Sequence, residues 1–305
     1  MTGEAQIRRR VPTLVFTAPP LAVRVVAAAL LLGAGRDAVA QQRAADKSGY
    51  HLFNPTPRHL MRDLSADRPD VTESPITVDA GHVQVELSFL DYRRDDRNSD
   101  NTEFEAWTVG ATNIKFGLLN NVDLQFVFDA YTDEDTLDKA AGTASSAKGF
   151  NDIQFRLKIN LWGNDGGETA FAVMPFIQLP AGSDELSSDH VEGGLIFPFA
   201  TELSDGWGLG LMAEVDWVFD EDDGEYDTEF VHTAVLGHDI MGSLGGYVEY
   251  IGIVSGDGDS DYQALIGTGL TYALSADLVL DIGANFGLTK TAEDVNVFAG
   301  VTVRF

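Results

Sequence analysis

Apolar and polar residues alternate along most of this chain with a period of two, the spacing that sends successive side chains to opposite faces of a β-strand. Ile153, Phe155, Leu157, Ile159 and Leu161 share one face, and Asp152, Gln154, Arg156, Lys158 and Asn160 share the other. Leu124, Phe126, Phe128 and Ala130 alternate in the same way with Asp123, Gln125, Val127 and Asp129. Leu278, Leu280, Ile282, Ala284, Phe286 and Leu288 alternate with Val279, Asp281, Gly283, Asn285 and Gly287. The last run puts Val295, Val297, Ala299, Val301, Val303 and Phe305 on a wholly apolar face. Such a terminal strand, ending on an aromatic residue, suits the closing stave of a barrel.

Turn signals divide the chain into twelve such segments, at 82–92, 102–117, 122–132, 150–161, 169–180, 190–201, 207–220, 228–238, 244–254, 261–274, 277–288 and 294–305. Each is long enough for the roughly 9–11 residues that a tilted membrane-spanning strand needs, and their number is even. The connections alternate in kind. One set is tight, at 119–121, 162–167, 203–206, 239–243 and 275–276. The other is acidic and often longer, at 93–101, 133–149, 181–189, 221–227, 255–260 and 289–293. Short periplasmic turns alternating with longer outer loops are the habit of an outer-membrane barrel. The expected fold is therefore all-β, a transmembrane antiparallel up-and-down β-barrel of about 12 strands. Trp162, Trp207, Tyr272 and Phe305 lie beside the tight turns, where a periplasmic aromatic girdle belongs.

Composition narrows the function. With 305 residues, no Cys and a formal charge of -28, the chain offers no thiolate metal site and no basic face for nucleic acid. No apolar run is long enough for a membrane-spanning helix; the nearest, from Leu21 to Gly35, contains Arg24. It reads instead as a secretory signal. Arg8, Arg9, Arg10 and Arg24 form the basic lead, Val25 to Leu32 the apolar core, and Ala38-Val39-Ala40 the cleavage site. The expected organisation is a cleaved signal over 1–40, an extended segment over 41–81 punctuated by Pro55, Pro57, Pro69 and Pro75, and the barrel over 82–305. The location implied is the bacterial outer membrane, with its lipid and lipopolysaccharide as surroundings and a small-molecule solute as cargo; composition says nothing of oligomeric state.

Two stretches resemble a known family. Lys158 to Gly167, continuing through Thr169-Ala170 and Met174-Pro175-Phe176 to Leu179-Pro180, is similar to the outer-membrane "transporter" family, also labelled the meta-pathway phenol-degradation (MetA) family. Asp67 to Pro75, followed by Gly81 to Glu86, resembles that family's N-terminal signature. The resemblance implies an outer-membrane barrel moving small, often aromatic or hydrophobic compounds, and brings no catalytic residues with it.

With apolar faces toward lipid, the expected lumen residues are Lys115, Asp123, Gln125, Arg156, Lys158, Gln178, Glu192, Glu214, Asp216, Glu249, Asp281 and Arg304. They either select solutes in an open pore or pair as a rigid plugged core. Asp67, Arg68, Asp70 and Glu73 form a motif that could tie the extended segment into the lumen as a plug, or sit in a periplasmic linker. The acidic loops around Glu221 to Glu225 and Asp257 to Asp261 invite divalent cations, but Tyr262 and Thr268 break the EF-hand pattern. Loose cation bridging or plain solvation are the readings left, and no cofactor is expected. An enzyme is not expected either: no G-x-S-x-G occurs, and strand parity points His232 and His238 inward. The expected function is a passive channel for small organic solutes. The alternative is a structural or interaction barrel with cation-binding acidic loops.

Overall fold

Thirteen β-strands account for nearly all the regular structure of the computed structural model, which describes residues 46–98, 101–220, 224–256 and 262–305. They are β1 (Val83–Asp95), β2 (Thr102–Leu119), β3 (Val122–Asp138), β4 (Thr143–Gly149), β5 (Ile153–Trp162), β6 (Thr169–Leu179) and β7 (Glu192–Glu202). After them come β8 (Trp207–Asp220), β9 (Glu225–Met241), β10 (Leu244–Val254), β11 (Gln263–Ser275), β12 (Leu278–Gly287) and β13 (Val295–Arg304). The expected signal segment, with most of the two acidic runs, lies outside the described residues.

Strands pair antiparallel in sequence order except that β5 pairs with β3 and not with β4, and β1 pairs with β13 from Gln84↔Arg304 to Arg94↔Val295. That pairing closes a ring of twelve strands. The thirteenth, β4, stands outside the ring. Positions 133–149, expected as a loop, instead extend β3 outward to Asp138 and fold β4 back on it. This hairpin needs no apolar face because it projects past the strands that meet lipid.

The faces sort as lipid requires. Leu161, Ile177, Val248 and Ile282 stand exposed on the outside at 55, 43, 53 and 53 %, a belt that water would penalise and hydrocarbon accepts. Trp162, Trp207, Tyr272 and Phe305 are exposed beside the tight turns, at the level of the interface. Closure gives each of the twelve ring strands a partner on both sides, while β4 pairs on one side only.

Parity is not uniform along each strand. In β2, Phe104, Ala106 and Thr108 are buried, and so is Lys115, an odd distance away. The phase slips at Gly110, which the ladder between β2 and β3 skips. Gly110 has φ +71°, and a Cβ there would come within 2.9 Å of Ala130 Cβ; register is the same on both sides, Val109↔Tyr131 and Ala111↔Asp129, and this local twist needs a residue without a side chain. A second slip lies between Ser88 and Leu90 of β1.

Parity also places His232 and His238 on the outer face, correcting the inward expectation. Val231, Thr233 and Val235 are the buried positions of β9, so the alternate His232 points out, where Tyr262 Oη meets its Nε2 at 2.9 Å. The error has a physical source. On this side of the barrel the inner face is itself apolar: Met174, Ile196, Met212 and Val231 form one buried cluster. Polarity alone therefore picks the wrong side of β9.

Candidate functional site

The interior is built around the chain's own N-terminal segment. Residues 62–80 make bonds to β1, β2, β3, β5, β9, β10 and β12, strands all round the ring, which only a segment inside the barrel can do. Asp67 is the hub. Its carboxylate takes both 2.8 Å bonds from Lys158 Nζ and a further bond from Lys115, which also pairs with Glu86. The Asp67 amide donates to Glu86 Oε1 at 3.1 Å, and the Ser74 amide donates back to Asp67 Oδ1 at 2.9 Å. Lys115 and Lys158 are each 1 % exposed, so their charges are affordable only through these partners.

The remaining charges of the Asp67–Pro75 motif split. Arg68 bonds Asp281 at 2.8 Å and Ser88 Oγ at 2.5 Å. Glu73 pairs with Arg156. Asp70 has no cation partner among the described residues and instead lines a cavity. The segment's tip is gripped differently: Glu249 accepts the Val71 and Thr72 amides at 2.9 and 2.8 Å and the Thr72 hydroxyl at 2.6 Å. Further down, the Val78 amide donates to Asp123 Oδ2 at 2.9 Å, and Gln125 donates to Asp123. At the tight-turn end Arg304 donates to Asp277 and to the Arg62 carbonyl, both near 3 Å.

Thus Lys115, Asp123, Gln125, Lys158, Glu249, Asp281 and Arg304 point inward and are buried. Arg156, Gln178, Glu192, Glu214 and Asp216 also point inward, half-buried and nearer the outer end. Gln178 donates to Glu192 at 3.1 Å, while Glu214 and Asp216 face Arg156 across the lumen. What alternation does not reveal is Asp152. It ends the polar face of its run, yet its carboxylate accepts the Gly182 and Ser188 amides at 2.9 Å and the Ser187 and Ser188 hydroxyls at 2.8 Å. Burial raises this carboxyl, but those donors outweigh it and hold it below the usual carboxylate range. The loop between β6 and β7 is thereby pinned over the outer mouth. Asp165, in the turn between β5 and β6, behaves alike: burial raises it, while Lys47, Asn120 and Arg62 lower it further.

Above the segment's tip lies a cavity of about 760 Å³, with Arg156, Gln154 and Gln178 on its floor, Asp129 and Glu134 on its wall and Ser187 at its rim. It is a polar vestibule large enough for a small organic molecule. No group of three His, Cys, Asp or Glu that could hold a metal ion occurs among the described residues.

A closed twelve-stranded ring with a lipid-facing apolar belt and a charged interior defines a β-barrel of the bacterial outer membrane. The chain belongs to the family described as "Putative MetA-pathway of phenol degradation", whose model matches residues 66–305. Among solved structures it resembles the COG4313 outer membrane channel from Pseudomonas putida F1 at TM-score 0.59 and 13% identity, over 79% of this chain and 100% of that one. The NanC porin (TM-score 0.45, 10% identity, 72% of this chain and 98% of that one) and the CymD monoaromatic hydrocarbon channel (0.41, 10%, 73% and 87%) are more distant. No curated protein sequence matches the chain.

Proposed function

We propose that the protein is a passive outer-membrane channel for small organic solutes, with the N-terminal segment as a plug that narrows the lumen without filling it. The observation that carries this reading is the pair of cavities, about 760 Å³ at the outer mouth under the loop between β6 and β7, and about 380 Å³ inside the ring beside the segment. A barrel that served only as a scaffold would gain stability by packing that space. The family's tie to phenol degradation agrees with an organic cargo. The vestibule floor, with amides beside a guanidinium, suits solutes that carry hydroxyl or carbonyl groups.

Catalysis is not part of this reading. His232 is engaged by Tyr262, and His238 stacks on Trp207 and bonds the Gly206 carbonyl, so both rings serve the outer surface as interface aromatics do. Liposome swelling over a panel of neutral phenols, aromatic acids and sugars tests the channel. Swelling with small hydroxylated aromatics is expected; impermeability to every solute would overturn the reading.

A further inference from the structure

The plug is held away from one side of the barrel. Its charged and carboxylate bonds go to Glu86, Lys115, Asp123, Arg156, Lys158 and Asp281 on β1, β2, β3, β5 and β12. Its tip is tied to Thr233 on β9 and Glu249 on β10, and its base to Arg304 on β13. Toward β6, β7 and β8, the polar contact found among the described residues is a long one, Glu73 N–H to Met212 Sδ at 3.4 Å. On that side lies the cavity of about 380 Å³, opening at the tight-turn end, with Asp70 and Tyr247 at its inner end. Its wall includes Gly208, Gly210 and Gly237; a Cβ at Gly208 or Gly237 would meet nothing within 4 Å, whereas one at Gly210 would meet Val235 Cγ1 at 2.7 Å and Thr72 Cγ2 at 3.2 Å. At Gly208 and Gly237 the wall therefore leaves room where the plug leaves room.

Of the motif's four charges, three are spent on the wall and one is not. Asp70, without a cation partner among the described residues, lines the inner end of this space, while the exposed Glu168 and Glu202 line its open end. An unpaired charge beside a narrow water-filled passage concentrates counter-ions and repels co-ions, and low-dielectric walls strengthen the effect. We propose that Asp70 is the charge filter of a route that passes the plug on its β6–β8 side, admitting small inorganic and organic cations and neutral solutes while rejecting anions. The proposal rests on the channel reading above and adds a residue and a substrate charge to it.

Glu249 and Tyr247 of β10 and Asp67 and Glu73 of the plug face Asp70, while Arg68 is turned to Asp281. Burial first, and the Glu249 carboxylate next, push the Asp70 carboxyl upward, so the filter gains charge as pH rises.

The test is reversal potential in planar bilayers under a KCl gradient, using the full chain at about pH 9 and about pH 5. The wild type is expected to favour K+ at the higher pH and to lose that preference on acidification. Asp70→Asn, with Asp70→Ser as a second variant, should lower the K+/Cl− permeability ratio about threefold or more at the higher pH and flatten its pH dependence. Gly208→Leu should cut conductance, and Asp184→Asn on the exposed outer loop should leave the ratio unchanged. Normal conductance with an unaltered ratio in both Asp70 variants would overturn the filter while leaving the channel standing. A wild type that never conducts and never supports swelling would sink the channel reading, and the filter with it.

Discussion

Lys158 shows what each charge inside the barrel demands. At 1 % exposure its ammonium has no water to fall back on, and Asp67 supplies two 2.8 Å bonds in its place. Glu73, at 3.8 Å, is too far to replace them. Asp67→Asn should therefore destabilise the plugged form by about 3 kcal/mol, the cost of stranding a buried charge. Adding Lys158→Met to that variant should restore part of the loss. Urea unfolding in detergent, followed through the four single and double states, gives both numbers, and strict additivity would refute the pairing. Asp152 makes a prediction in pH. Its folded carboxyl lies below the ordinary value, so the bonds to the loop between β6 and β7 contribute fully above about pH 4 and fade as pH falls through the lowered value. Hydrogen exchange over residues 182–188, corrected for intrinsic rates, should show protection at pH 5 that is lost at about pH 2. Asp152→Ala should be unprotected at both.

At the level of the strand, the rule is set by lipid. Ile282 of β12 is 53 % exposed to the bilayer, so Ile282→Arg should cost about 2–4 kcal/mol near the midplane, measured by reversible unfolding into urea from vesicles. This same rule made most of the fold legible. Because one face of every stave must be apolar, period two survives in β3, β5, β12 and β13, and the strand bounds and alternating turns can be read without coordinates. The exceptions have local causes. The local twist at Gly110 puts Phe104, Ala106 and Thr108 on the inside without changing the composition of the run. β4 has no apolar face to betray it, since Thr143 to Gly149 pairs above the membrane. The apolar inner patch of Met174, Ile196, Met212 and Val231 is invisible because alternation reports that two faces differ, and not which one faces the lumen. The motif at Asp67 could be seen in the sequence, but these partners are 48 to 213 residues away, and only the closed ring brings Lys115, Lys158 and Asp281 to it.

Taken whole, the molecule separates its support from its restriction. The ring is closed by the β1–β13 ladder, from Gln84↔Arg304 upward, and that ladder owes nothing to residues before 83. Plug and wall meet through side chains, and the wall keeps some partners of its own: Lys115 has Glu86, Arg304 has Asp277, and Asp123 has Gln125. Lys158 and Asp281 would be rewetted rather than stranded if the plug were gone. Deleting residues 46–78 should therefore leave a folded barrel that resists SDS at room temperature and still shifts on boiling. Its conductance should rise several-fold, because lumen width and not strand number sets the passage once the inner segment is removed. The deletion also takes Asp67, Asp70 and Glu73 from the lumen, so preference for cations should fall as conductance rises. The two readouts separate the roles. A larger current with unchanged selectivity would mean that the wall residues Glu214, Asp216 and Glu249 set the charge of the route. An unchanged current from a folded barrel would mean that solutes never pass the segment through the lumen at all.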